Sequence, residues 1–163
     1  MHADKLDEID LKLLEILQIQ GRTKRKELAE QVQLSLPSIS ERLRKLEEAG
    51  IIRSYNTVLE ARKVGLEVTA FIFVSSESSK YYPQILEQAQ ALDEILECHA
   101  ITGEGSHLLK VRTQSTATLE QLLSKIQSWP GVTNTRTSVV LSSPKDTTVL
   151  SLKYVQTKAS LTD

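Results

Sequence analysis

Residues 25–44 read RKELAEQVQLSLPSISERLR, and this stretch predicts two short helices joined by a tight turn. Ser35 stands where a helix N-cap is needed, and Pro37 falls in the first turn of the second helix, where its missing N–H costs no hydrogen bond. Five apolar side chains at helical spacing are expected to pack the two helices together: Leu28, Val32, Leu34, Ile39 and Leu43. A DNA-binding helix-turn-helix has this form, but so does a generic helical hairpin, and the rest of the chain must decide.

The second helix of this pair carries an outward row of Ser, Glu and Arg side chains, which suits a DNA major groove. We predict base contacts from Ser38, Glu41 and Arg42, and we include Ser35 in the DNA-binding set. Arg42 is suited to guanine and Glu41 to cytosine. For Glu41, the alternative is an ordinary ion pair with Lys45, four residues further on.

Basic residues are concentrated around this motif, although the whole chain is nearly neutral. The segment 22–53 holds eight Lys and Arg residues against five acids, whereas the net charge of the chain is −1. One basic face is enough for phosphate contacts. We assign phosphate binding to five flexible cations: Arg22, Lys24, Arg25, Arg44 and Lys45. A solvated surface of mixed charge is the alternative interpretation.

Composition narrows the class of protein. The 163 residues, 40% of them hydrophobic and 25% charged, are typical of one ordinary globular domain or two small ones. No apolar run approaches the ~20 residues of a membrane span, so we expect no membrane partner. The single cysteine, Cys98, excludes an intramolecular disulfide or a thiolate zinc site within one chain. We expect a cytoplasmic, nucleoid-associated protein without cofactor or metal.

Two histidines, His99 and His107, flank a predicted turn, and a metal site there is the alternative to a structural role. Neighbouring residues of a strand face opposite sides of a sheet, so Cys98 and His99 are not expected to share a metal ion. We interpret both histidines as structural.

The first part of the chain, residues 1–58, is predicted to be a winged helix-turn-helix domain. Apolar residues at helical spacing predict a first helix that is capped by Asp7 and ends near Gly21. Two further helices follow, and β-type residues over 51–58 predict an extended segment as the wing. Residues 59–66 are predicted to be a connector.

The remainder is predicted to be a second domain over residues 67–155, followed by a C-terminal tail at 156–163. Strands are expected at Val68–Ser75, Ile95–Thr102, His107–Thr113 and Val132–Leu141, helices at Tyr82–Leu92 and Thr116–Trp129, and Val149–Tyr154 is a candidate for a further strand. The order β-α-β-β-α-β is that of the ferredoxin-like, ACT-like fold. The predicted class is therefore α+β.

A four-stranded antiparallel sheet with both helices on one face leaves its other face bare. The predicted strands are too apolar to leave both faces in water, as residues such as Val68, Ala70, Ile72, Val74, Leu109 and Val111 show. A partner subunit is the simplest cover for the bare face. We therefore predict a homo-oligomer.

An ordered set of short motifs runs through both halves of the chain. They are LDEIDLKLLEILQ at 6–18, GR at 21–22, ELA at 27–29, LS at 34–35, RLRKLEEAGII at 42–52, Tyr55, ECH at 97–99, TG at 102–103, LLKV at 108–111, PGV at 130–132 and TRTSVV at 135–140. Together they resemble the Lrp/AsnC family of transcription regulators, also called feast/famine regulators. The resemblance extends over nearly the whole chain.

This resemblance implies a sequence-specific, DNA-binding transcription regulator with a C-terminal domain for dimerisation and effector binding. It also implies dimers, and rings of dimers such as octamers. An amino acid or related small metabolite is expected to bind between dimers, near a glycine-containing hairpin turn. The candidate effector-binding residues are Gly103, Glu104, Gly105, Ser106, Thr135 and Ser138.

Two positions depart from the family's pattern. Gln33 stands where the turn of the helix-turn-helix usually has glycine, and a non-glycine residue at positive φ costs on the order of 1 kcal/mol. The hairpin reads Gly-Glu-Gly-Ser-His over 103–107, where the family often has Gly-Asp-x-Asp and an aromatic residue. Glu104 is thus the only side-chain anion that this turn offers to an α-amino group.

An enzyme and an architectural DNA protein are the alternative classes. The chain has no phosphate-cradling glycine loop, no nucleophile elbow and no His-Glu-x-x-His motif, so we expect no enzymatic activity. An architectural protein would bind DNA without a ligand and with little sequence preference, whereas a regulator binds a few operators far more tightly than bulk DNA. We predict the regulator, with the architectural protein as the alternative.

Overall fold

The computed structural model describes residues 6–155, which separate into two compact units. The first unit consists of residues 6–58 together with 145–155, and the second consists of residues 59–144. The α+β class is confirmed, because a helical unit is joined to a unit built on one antiparallel sheet. The predicted tail, 156–163, lies outside the described residues.

Five α-helices and four β-strands make up the regular structure of residues 6–155. They are α1 Glu8–Ile19, α2 Arg25–Val32, α3 Leu36–Glu48, β1 Val68–Ser76, α4 Tyr82–Gln90, β2 Ile95–Ala100, β3 His107–Thr113, α5 Thr116–Gln127 and β4 Val132–Val139. Two short 3-10 helices lie at Ala61–Val64 and Ser79–Tyr81.

The first unit begins with the three predicted helices, whose main shared contact is an apolar cluster between them. Its fully or nearly buried members are Leu13, Leu28, Ala29, Ile39 and Leu43. Asp7 caps α1 as predicted, and it does so in a capping box with Asp10, in which each side chain accepts a hydrogen bond from the other's backbone N–H. Local signals therefore set where these helices begin.

The turn between α2 and α3 contains the one non-glycine residue with positive φ in the described part of the chain. Gln33 has φ 54° and ψ 45°, and the expectation of a left-handed residue there is confirmed. The N–H of Leu34 donates to the Ala29 carbonyl at 3.0 Å, and the Leu34 side chain packs on the apolar cluster. This packing holds the turn closed without glycine.

Residues 51–58 form no strand, so the expected wing is not present as a β-element. The N–H groups of Ile51 and Ile52 both donate to the Leu46 carbonyl, at 3.0 and 3.1 Å, and these bonds cap the C-terminus of α3. Further on, the Tyr55 hydroxyl donates to Glu47 Oε1 at 2.8 Å. Local β propensity makes no strand here, because the segment has no neighbouring strand to pair with.

The segment 145–155 packs on the first unit rather than extending the sheet, which differs from its predicted place in the second domain. Gln18 bonds the backbone of Leu150 twice: its Oε1 accepts from N–H at 2.7 Å and its Nε2 donates to the carbonyl at 3.2 Å. Leu152 and Val155 pack against buried leucines of the first unit, namely Leu6, Leu14 and Leu46. The prediction of a strand at Val149–Tyr154 is therefore wrong.

The second unit is the predicted ferredoxin-like arrangement. Its sheet has the strand order β2-β3-β1-β4, and every neighbouring pair is antiparallel. The side chains buried between the sheet and its two helices are Ala70, Ile72, Val74, Ile85, Ala89, Leu109, Val111, Leu119, Leu122, Ile126 and Trp129.

The sheet's open face differs in composition from the prediction. The apolar residues expected to require a partner subunit, such as Ile72 and Leu109, are already covered by the helices. Strand alternation instead puts Phe71, Phe73 and Leu108 on the other face, where each is only partly buried. The open face is therefore partly apolar, through a different set of residues from those that the prediction cited.

Candidate DNA interface and effector hairpin

Helix α3 is amphipathic in the way that groove binding requires. Ile39, Leu43 and Leu46 are buried against the rest of the unit. The exposed side chains are Leu36, Pro37, Ser38, Glu41, Arg44, Lys45, Glu47 and Glu48. Ser35 caps the helix as predicted, since its Oγ accepts a hydrogen bond from the Ser38 N–H at 3.3 Å. The two hydroxyls also bond each other at 2.8 Å.

Arg42 is not on the exposed side of α3. Its Nη1 lies 2.8 Å from Asp7 Oδ2 and 2.7 Å from Asp10 Oδ1, and its side chain is 27% exposed. The guanidinium therefore joins the N-terminal capping box of α1 to the middle of α3. Partial burial raises the pKa of Asp7, but the Asp10 N–H and Arg42 outweigh it and hold that pKa below its ordinary value. This geometry argues against the predicted role of Arg42 as a guanine reader.

Glu41 belongs to an ionic network on the surface of α3. Arg44 donates to both of its carboxylate oxygens, at 2.9 and 2.7 Å, and Lys45 Nζ lies 3.5 Å from it. Arg44 also pairs with Glu48. These hydrogen bonds, those of Arg44 above all, lower the pKa of Glu41 to about 2. The alternative pairing with Lys45 is thus present, within a larger network.

The cations that precede and begin α2 are exposed. Arg22, Lys24 and Arg25 all lie at the surface of the first unit. Of these, Arg25 contacts the second helix of the motif, because its Nη1 lies 3.4 Å from Ser40 Oγ. Arg25 belongs to α2, so this contact places a guanidinium of α2 beside the exposed side of α3.

The β2–β3 hairpin turn is attached to the end of β1. The N–H of Ser106 donates to the Val74 carbonyl at 2.8 Å, and the Ser106 hydroxyl donates to the same oxygen at 3.2 Å. Gly105 has φ 91°, and a Cβ there would lie 2.9 Å from that carbonyl. Glycine is therefore required at 105 both by the backbone conformation and by the close approach to Val74.

Glu104 extends from this turn to β4, where it pairs with Arg136. The guanidinium of Arg136 also lies over the Phe73 ring, 4.6 Å from its centroid. Since Arg136 and Phe73 are cross-strand neighbours on the open face of the sheet, the only carboxylate of the turn is connected to that face.

The structure divides the remaining candidate effector residues between two faces of the sheet. Thr135 pairs with the buried Val74, and its hydroxyl accepts from Gln127 of α5 at 2.9 Å, which places it on the helix side. Ser138 pairs with Phe71 on the open side. Only Gly103–Ser106 and Thr135 therefore converge near the end of β1.

The histidines next to the turn have separate environments. His107 is buried: its ring stacks edge-on against Tyr82 at 4.7 Å, its Nδ1 lies 2.9 Å from Ser106 Oγ, and desolvation lowers its pKa. His99 pairs with Glu97 at 3.1 Å, while Cys98 packs against the core of the second unit.

No cluster of three metal-ligating side chains occurs within residues 6–155. None of the helices in this part of the chain is long and apolar enough to cross a membrane.

Comparisons with known proteins agree with this two-part architecture. Residues 6–53 match the family model for winged helix-turn-helix DNA-binding, and residues 69–150 match the Lrp/AsnC ligand binding domain. The transcriptional regulator FL11 of Pyrococcus horikoshii is 35% identical over 91% of this chain and 97% of its own length. The chain belongs to the Lrp/AsnC family.

Other Lrp/AsnC relatives are similar to the same extent. The leucine-responsive regulatory protein of Escherichia coli K12 is 35% identical over 91% of this chain and 92% of its own. The crystal structure of a Neisseria meningitidis transcriptional regulator in complex with L-Met has a TM-score of 0.87 and 35% identity, and covers 93% of this chain and 100% of its own.

Membership in the Lrp/AsnC family makes this chain a DNA-binding transcriptional regulator with a ligand-binding domain, and not an enzyme. Two structural features of this Lrp/AsnC chain were missed by the sequence analysis, namely the link from Arg42 to α1 and the pair between Glu104 and Arg136. Both connect residues that are more than 30 positions apart. No local sequence signal identifies either one.

Proposed function

We propose that this protein is a sequence-specific regulator that binds operator DNA through α3 and is modulated by an amino acid or related small metabolite. The observation that carries the DNA part is an amphipathic α3 with one buried side, one exposed side and exposed cations nearby on the same unit. In a helix-turn-helix, the exposed N-terminal part of the second helix enters the major groove. The protein is proposed to act on the nucleoid in the cytoplasm.

The DNA contacts divide between positioning and reading. Arg22, Lys24 and Arg25 are proposed to bind phosphates, together with Arg44 and Lys45 once DNA phosphates compete with the acids of α3. Ser35 and Ser38 lie at the N-terminal turn, within reach of base edges. Glu41 reaches a cytosine only if it exchanges an ion pair for that contact.

Selective binding and its dependence on salt test the DNA part. A duplex selected from a random library should bind at least a thousandfold more tightly than random duplex. Arg22→Ala and Lys24→Ala should weaken binding to both duplexes equally, and each should reduce the slope of log K against log salt by about 1. Fluorescence anisotropy at several salt concentrations measures both quantities.

The control for these variants is Lys12→Ala, because Lys12 is an exposed cation of α1 in the same unit. It should leave the salt slope unchanged. Equal affinity of the wild-type chain for the selected and the random duplex would favour an architectural protein and contradict the proposal.

Self-association is proposed to use the open face of the sheet. Phe71, Phe73 and Leu108 are partly exposed there, and Arg136, Glu97 and Lys110 surround them with charge. A second copy of the face would bury these side chains in a two-fold dimer. Light scattering separates this dimer from the proposed ring of dimers.

The effector is proposed to bind between dimers at the Gly103–Ser106 turn, where Glu104 is the anion available to an α-amino group. That carboxylate already pairs with Arg136, so an ammonium group must compete with a guanidinium. The L-Met complex of the Neisseria relative supports an amino acid as the ligand class.

A panel of the twenty amino acids tests the effector part by thermal shift and light scattering. An effector at 100 times its Kd should stabilise the protein by about 2.7 kcal/mol. Glu104→Gln should abolish that shift, whereas Glu87→Gln, which changes an exposed acid on α4, should not. If no amino acid alters stability or assembly, this turn is not an amino-acid site.

A further inference from the structure

Leu36 is an exposed leucine at the first position of the helix that is proposed to enter the groove. Its side chain belongs to neither apolar cluster of the first unit, and the residue is 49% exposed. The other leucines of α3, Leu43 and Leu46, are buried. Packing within the unit therefore does not account for an apolar residue at position 36.

The polar groups around Leu36 are already occupied by one another. Ser35 and Ser38 share a hydrogen bond at 2.8 Å. Further along α3, Glu41 is bonded by Arg44, and Arg42 is turned toward Asp7 and Asp10. The methyl groups of Leu36 can therefore contact a groove without first breaking an internal hydrogen bond.

Thymine is the base that matches such a surface. It is the only one of the four bases that carries a methyl group in the major groove, and apolar side chains contact that methyl directly. N-terminal residues of a recognition helix are the ones that approach base edges. We propose that Leu36 is a specificity residue that packs on a thymine 5-methyl group, so that each half-site carries a thymine opposite the start of α3. This inference rests on the proposed DNA-binding function.

Replacing thymidine by deoxyuridine removes only this methyl group and therefore tests the contact between the methyl group and Leu36. The duplex selected by the wild-type chain is compared with versions in which single thymines are replaced by deoxyuridine. Each half-site should contain one thymine whose replacement lowers the affinity of the wild-type chain about fourfold, because one buried methyl is removed. Replacing this thymine in both half-sites should lower the affinity about fifteenfold. Leu36→Ala should bind the two duplexes within twofold of each other.

The matched control is Ile19→Ala, because Ile19 is another exposed apolar residue of the first unit and lies on α1. It should keep the full preference for thymine over deoxyuridine. Circular dichroism melting of both variants checks that the unit remains folded.

The outcomes separate the inference from the function on which it rests. Selective binding with the same thymine preference in the wild type and in Leu36→Ala overturns the role of Leu36 and leaves the regulator intact. A selected duplex without a methyl-sensitive thymine has the same consequence. Absence of selective binding by the wild-type chain overturns the proposed function, and the inference with it.

Discussion

Replacing Arg42 with alanine is expected to lower the free energy of unfolding of the first unit by about 2 kcal/mol. The variant leaves Asp10, whose side chain is 8% exposed, without its cationic partner. A fully buried broken pair costs about 3–5 kcal/mol, and the smaller value here reflects the 27% exposure of Arg42 and the 41% exposure of Asp7. The ratio of affinities for selected and random DNA should stay the same wherever the variant is folded.

Hydrogen exchange measures this loss separately for the first unit, because amide protection in α1 and α3 depends on the stability of that unit. The buried Trp129, the only tryptophan of the chain, reports the second unit by fluorescence, and its unfolding transition should not move. Lys45→Ala is the matched control. It removes an exposed cation from the same helix, where a surface pair contributes about 0–1 kcal/mol.

The dependence on pH should follow the sign of the Asp7 shift. Its pKa in the folded protein lies below the ordinary value of 3.8, so the ionised carboxylate stabilises the fold above that pH. This contribution is lost as the pH falls below 3.8 and through the folded pKa. The acid loss of stability should therefore be shallower in Arg42→Ala than in the wild type.

The Asp10→Asn background gives a second comparison. In Asp10→Asn, the Arg42→Ala substitution should lower the free energy of unfolding by less than in the wild type, because no buried charge is left unpaired. Unchanged stability of Arg42→Ala together with a selective loss of affinity for the preferred duplex would contradict the structural role and restore base reading.

Ending the chain at Pro144 is expected to destabilise the first unit by about 3 kcal/mol. The truncation removes Leu152 and Val155 from their contacts with Leu6, Leu14 and Leu46. Each half-buried side chain contributes about 1.5 kcal/mol of apolar burial. The two hydrogen bonds between Gln18 and Leu150 are also lost, but both are exposed and add little.

A chain that ends at Val155 is the control, because it keeps every one of these contacts. Amide exchange in α1 should accelerate about a hundredfold in the shorter chain only, while the Trp129 transition stays in place in both. Equal protection of α1 in the two chains would show that the segment 145–155 does not stabilise the helices.

Local signals explain which parts of the fold could be predicted. Asp7, Ser35 and the positive φ of Gln33 depend on neighbours within a few residues, and all three are as expected. The segment 145–155 could not be predicted, because its apolar residues suit a strand and only distant packing decides their place. Alternation alone could not predict which strand residues lie on the open face, because both strand phases carry apolar residues.

The candidate site was less predictable than the fold for the same reason. The helical pattern of α3 did not reveal that Arg42 would be drawn to Asp7, which lies 35 residues earlier. Thr135 and Ser138 are close in sequence, but an odd separation on a strand puts them on opposite faces. Sequence therefore located the right elements, whereas long-range contacts decided which side chains are available.

The return of the chain to the first unit at residue 145 has a consequence for synthesis on the ribosome. Translation proceeds from the N-terminus, so α1, α2 and α3 emerge long before the segment that covers Leu6, Leu14 and Leu46. The whole ligand-binding domain is made in between. A nascent chain therefore cannot complete its DNA-binding unit before its ligand-binding domain has been synthesised.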